Sequence, residues 1–147
     1  MQAYDPSTNP LNNNEWSFPL LEIIHIVSIA AAVGTIAIVD LRLLGLGMRR
    51  ATAAQLVRGT QLWTLSGILV ALLSGAVLVT TDPLNYIGNA AFQFKLTCLA
   101  AALVYHYTVH LKVATSQHSV LGGRLAAAIS IAFWVSVVFG GIFYAFI

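Results

Sequence analysis

The sequence predicts an all-α integral membrane protein, an antiparallel four-helix bundle with both termini on the same, outer side. Three observations carry this reading. The 147 residues are 59% hydrophobic and 8% charged, with a mean hydropathy of +0.84. Soluble domains carry about 25% charged residues, and a chain this short cannot hide so much apolar surface in its own core. Four apolar stretches stand out, at about 18–39, 62–79, 90–113 and 121–147. At about 1.5 Å per residue each can cross a hydrocarbon core of about 30 Å. Period-two alternation and strand-type turns are absent, and helices satisfy every backbone group internally in lipid.

The elements follow in order. Residues 1–16 form a short polar tail without Lys or Arg, and nothing there reads as a cleavable signal peptide. The whole of 1–147 is a single transmembrane domain, and its connectors are short enough to make sequential helices antiparallel neighbours. Six of the seven Lys and Arg flank two connectors: Arg42, Arg49, Arg50 and Arg58 the first, Lys112 and Arg124 the third. The positive-inside rule then places both termini outside, which in a bacterial inner membrane is the periplasm. Trp16 and Tyr86 are outer interface anchors, and Trp63 is an inner one. Small residues mark helix contacts: Gly67, Ser74 and Gly75 in the second stretch, and Gly122, Gly123, Ser130, Ser136, Gly140 and Gly141 in the fourth. A net charge of +2 gives no sign of a nucleic-acid partner. The single cysteine, Cys98, makes neither an internal disulfide nor a cysteine-based metal motif. The expected partners are the lipid bilayer and other membrane subunits or further copies of the chain.

Ionisable residues within spans are costly and face a bundle interior or cavity. Counted along the helices, they fall into two sets. Glu22, His25 and Lys95 lie toward the outer side; Asp40, Arg42, His106 and His110 lie toward the inner side, near Gln61. Glu22 with Lys95 reads either as a plain interhelical ion pair or as part of a cofactor site. Asp40 with Arg42 reads as a helix-end pair at the membrane surface. His110 and Lys112 read as side chains that snorkel to the inner interface, and His118, in a polar loop, reads as solvated. His25 and His106 are too far from helix ends for that, so they are the candidate metal ligands, imidazole being a common ligand for haem iron. A haem b needs no Cys-x-x-Cys-His motif, and none is present. Their depths differ by about 10 Å at 1.5 Å per residue, which is wide for two axial ligands of one haem.

Two segments carry a resemblance. "EIIHIVSIAAAVGTIAIVDLRLLG" followed by "PLNYIGNAAFQFKLTCLAAALVYH" resembles a family of small bacterial four-helix membrane proteins marked by the "DLRLLG" signature. A more distant similarity is to HemJ-type protoporphyrinogen oxidases and CopD-type copper-resistance proteins, which His25, Gly34, Lys95 and His106 match in position. That resemblance implies haem b binding, with His25 and Lys95 as the important residues. The stretch "VDLRLLGL" shares only Arg42 with the HemJ-type pattern, so haem or quinone binding is implied and the oxidase chemistry is not.

The sequence therefore leads to a small membrane protein that binds haem b or a quinone and takes part in electron transfer. His25 and His106 would be ligands; Lys95, Arg42 and His110 would support the cofactor; Glu22 and Asp40 would be structural partners. Two rivals stand beside it: a non-catalytic accessory subunit, and a CopD-like copper or ion permease. The second has few soft ligands to draw on, since Met1 and Met48 lie outside the spans.

Overall fold

A computed structural model of the protein describes residues 5–117, 119–144 and 146. His118, expected to be solvated, and Ala145 and Ile147, at the end of the fourth expected span, lie outside the described residues. The chain is 81% helix, with no strand among the described residues. After a single 3₁₀ turn at Pro6–Thr8, the long helices are α1 (Ser17–Leu44), α2 (Ala53–Val79) and α6 (Val120–Phe143). All three are long and apolar enough to cross a membrane. Between them lie α3 (Pro83–Gly88), α4 (Ala90–Tyr105), one π-helical turn (His106–His110) and α5 (Leu111–Thr115). The last three stretches, of 16, 5 and 5 residues, follow one another without a break.

Local chemistry sets the boundaries. α1 ends at Gly45, whose φ of 81° is open to glycine and strained for other residues. α2 begins at Ala53, well before the expected 62, because Thr52 and Gln55 form a capping box. Residues 55–61, expected in the connector, are instead the first turns of α2. Asn89 caps α4 by accepting from the Ala91 and Phe92 N–H groups, and Ser119 caps α6 by accepting from Gly122 N–H.

α1 is the central element, packed along α2 on one side and α6 on the other; α4 packs on α6, and α5 reaches back to α2. One apolar cluster, built on Ala32, Ile36, Ile68, Ala102, Trp134 and Val137, fills the middle of the packet. A second, with Val39, Leu43, Val57, Ala114 and Ala127, fills the end nearest the 45–52 connector. α1 and α2 approach closely at Gly67, where a Cβ would lie 2.8 Å from the Ser28 carbonyl oxygen. The outward faces carry large apolar side chains such as Leu20, Ile26, Leu62 and Leu73, a surface suited to lipid.

The helix order gives the packet two distinct ends. At the terminal end the tail is tied to the α2–α3 turn: Asn9 Nδ2 donates to the Thr80 carbonyl at 2.7 Å and Asn12 Nδ2 to that of Thr81 at 3.0 Å. Tyr86 stacks on Tyr144 there, with ring centres 4.6 Å apart. Burial, and then the neighbouring Tyr144, push the Tyr86 hydroxyl above its usual range, so it stays neutral. The connector end holds residues 45–52 and the turn after α5.

Candidate functional site

Toward the connector end, three helical elements meet through polar side chains. Asp40 of α1, His110 of the π turn and Ser130 of α6 are 1%, 0% and 1% exposed. Asp40 accepts on both oxygens: His110 Nε2 lies 2.7 Å from Oδ1, and Ser130 Oγ donates to Oδ2 at 2.9 Å. A carboxylate oxygen accepts and does not donate, so His110 Nε2–H is the donor in this pair. Such a buried group is tolerated only when its hydrogen bonds are made.

The π turn presents the two histidines. Its wide turn is closed by Leu111 N–H donating to the His106 carbonyl, one residue beyond the α-helical ladder. His106 is buried and stacks on His110, with ring centres 5.1 Å apart and planes at 27°. Both Nδ1 atoms are buried without a hydrogen-bond partner. Both residues also line a cleft of about 240 Å³ between α1, α2 and the π turn. Its polar lining comes from Thr35, Thr60, Gln61 and Thr64 besides the histidines. Its rim holds Leu62, Leu65 and Tyr107, which are at least half exposed on the lipid-suited face.

Toward the terminal end a second polar set is built differently. His25 Nδ1 lies 3.0 Å from Ser74 Oγ, and Ser74 Oγ donates to the Val70 carbonyl at 2.6 Å. That hydroxyl has one hydrogen and a carbonyl cannot donate, so His25 must supply the other hydrogen from Nδ1. Its Nε2 is left as the nitrogen available to a ligand. Gly75 makes room for the ring, since a Cβ there would lie 2.9 Å from Cε1. Lys95 runs along Gly140 and Gly141, whose missing side chains leave the slot it occupies. His25 and Lys95 line one small cavity of about 40 Å³, with Trp134 and Leu99 among its other walls.

Several sequence expectations are corrected. Asp40 does not pair with Arg42; it faces inward to His110 and Ser130, while Arg42 Nε donates to the Ala51 carbonyl at 2.6 Å and braces the connector. One helical position separates two residues by about 100°, so Asp40 and Arg42, two apart, point to opposite sides. His110 does not snorkel to an interface; it is fully buried. Glu22 is exposed, and no ion pair joins it to Lys95 among the described residues. His25 and His106 line separate cavities. The structure does bring His106, His110, Asp40 and Gln61 to one region, and His25 and Lys95 to another.

Sequence reasoning treated Ser74, Gly75 and Ser130 as packing residues. Ser130 lies 90 positions from Asp40 and Ser74 lies 49 from His25, and no periodicity links such partners. Thr35 and Thr64, whose hydroxyls meet at 2.8 Å, were not singled out at all. Among the described residues no three His, Cys, Asp or Glu side chains gather as a metal centre. No family model, no curated protein and no solved structure matches this chain.

Proposed function

We propose that this chain is a quinone-binding protein of a bacterial inner membrane, built as a four-span bundle with both termini periplasmic. It would serve membrane electron transfer beside a redox partner. The observation that carries the reading is the cleft: Gln61, Thr60 and His106 put polar groups into a mostly apolar opening beside lipid-suited residues. A water-soluble ligand has no reason to enter from that side, whereas a ring carried on an apolar tail does. The volume favours a single ring. Pockets for drug-sized ligands hold about 300–1,000 Å³, and this cleft is smaller, at about 240 Å³. Quinone oxygens need hydrogen-bond donors, which the Gln61 amide and an imidazole N–H provide.

The test is equilibrium binding of a short-chain benzoquinone to the detergent-solubilised chain. Gln61→Leu and His106→Leu are each expected to weaken binding at least tenfold, and Lys95→Gln to leave it unchanged. Absence of saturable binding, or full binding by both cleft variants, would remove the reading. A C-terminal alkaline phosphatase fusion, expected to be active, tests the orientation.

Haem b is the second reading, and one observation favours it. His25 is held as a ligating imidazole is held, with one N–H donated to a fixed oxygen and the other nitrogen left over. The cavity beside it, about 40 Å³, does not fit a macrocycle. The absorption spectrum separates the two readings: a quinone protein is colourless, whereas a sharp reduced α band that His25→Ala abolishes would replace quinone with haem.

A further inference from the structure

We propose that His106 and His110 form a two-imidazole site for a divalent transition-metal ion such as Zn²⁺, Cu²⁺ or Ni²⁺, supported by Asp40 and Ser130. The two orphaned nitrogens start the argument. His110 and His106 are 0% and 5% exposed, and the Nδ1 of each is buried without a partner. A buried polar atom left unmade is unfavourable and calls for an explanation. The occupant of the cleft does not provide it, because these two atoms lie beneath its surface. Both residues line the cleft, so a small turn of the rings would open Nδ1 to a single ion entering there.

The hydrogen bonding suits a metal. His110 donates its Nε2–H to Asp40, and a neutral imidazole held that way keeps its lone pair on Nδ1. Asp40 is itself held by the Ser130 hydroxyl. A carboxylate that accepts the far N–H of an imidazole is the usual support of a metal-bound histidine, fixing its tautomer and raising its basicity. His106 stands one turn earlier on the same rod, which is the spacing two histidines need to share one ion from a single helical face. Metal–nitrogen distances of about 2.0–2.1 Å to both rings would leave the ring centres about 5 Å apart. The observed separation is 5.1 Å, with the planes only 27° from parallel.

The ligand set names the class of ion. Two imidazoles suit Zn²⁺, Cu²⁺ and Ni²⁺; the lining has no thiolate or thioether to select Cu⁺, and no carboxylate free to hold Ca²⁺ or Mg²⁺. Water, or the Thr60, Gln61 and Thr64 groups of the cleft, would complete the coordination. This inference stands on the orphaned nitrogens and does not depend on the quinone reading.

The experiment uses the full chain in detergent, without a purification tag and carrying His118→Gln so that this imidazole takes no part. Cu²⁺ is added, and pulsed electron paramagnetic resonance counts the coordinated imidazole nitrogens. Two are expected at one equivalent. His106→Gln, which leaves the His110–Asp40 pair in place, should lower affinity at least tenfold and leave one imidazole. His25→Gln should change neither. Zn²⁺ should raise the melting temperature of the parent chain and not that of His106→Gln. A parent spectrum with no coordinated imidazole would overturn the proposal whether or not any variant folds. So would copper binding that His106→Gln leaves intact or that His25→Gln abolishes.

Discussion

The connector end and the terminal end both bury a histidine among apolar helices, and they do so by opposite means. At the connector end an acid, an imidazole and a hydroxyl from α1, the π turn and α6 satisfy one another in nearly complete burial. At the terminal end a half-buried imidazole leans on a serine of the neighbouring helix, and glycines clear space for it and for Lys95. The first arrangement ties three helical elements together through charge-assisted bonds. The second ties two helices through a neutral bond and depends on the absence of side chains. In lipid, where apolar contact alone does not drive helices together, these are two distinct ways to fix their register.

The largest expected effect follows from this contrast. Asp40→Ala leaves His110 and Ser130 without their acceptor, and breaking a buried pair costs about 3–5 kcal/mol. Unfolding of the detergent-solubilised protein should register it, with Ser74→Ala costing far less. Equal losses for the two variants would show that the ends do not differ as described.

Gly67→Ala comes next. Its Cβ would meet backbone, the Ser28 carbonyl oxygen at 2.8 Å and the Ala32 nitrogen at 3.0 Å, so α1 and α2 must part. Overpacking of this kind costs about 1–3 kcal/mol. Gly75→Ala meets only the His25 ring, which can turn aside, and should cost less stability than Gly67→Ala. If Gly75→Ala proves the worse of the two, the His25 ring is held more firmly than its hydrogen bond to Ser74 accounts for.

Ser74→Ala removes the acceptor for His25 Nδ1 and should cost about 0.6 kcal/mol, the average for such bonds between membrane helices. Its sharper readout is the ring itself: the nitrogen chemical shifts of His25 should lose the fixed Nδ1–H signature, while those of His110 stay unchanged.

The smallest effect concerns coupling. Glu22 is exposed and Lys95 lies against Gly140 and Gly141, so the stability losses of Glu22→Gln and Lys95→Gln should add in the double variant. A rescue in the double variant would mean that the two charges pair in the membrane after all.

Some of this was legible in the amino acids and some was not. The apolar runs and sparse charges determined the helical, membrane-suited character of the chain, because in lipid a backbone must satisfy itself. Counting at a fixed rise per residue separated the ionisable residues into two levels, and it brought His106, His110, Asp40 and Gln61 toward one of them. Thr52 and Gln55 marked the start of α2 through a local capping box, a signal masked by the polar residues Gln55, Arg58, Thr60 and Gln61 that follow. What needed the tertiary structure was azimuth and partner. Depth along a helix follows from sequence position alone, but the neighbour a side chain faces depends on how each helix turns about its axis. That rotation is set by packing across separations such as the 90 residues between Asp40 and Ser130. For that reason Asp40 read as the partner of nearby Arg42 and proved to be bound to His110, and Glu22 and Lys95 shared a level without sharing a bond.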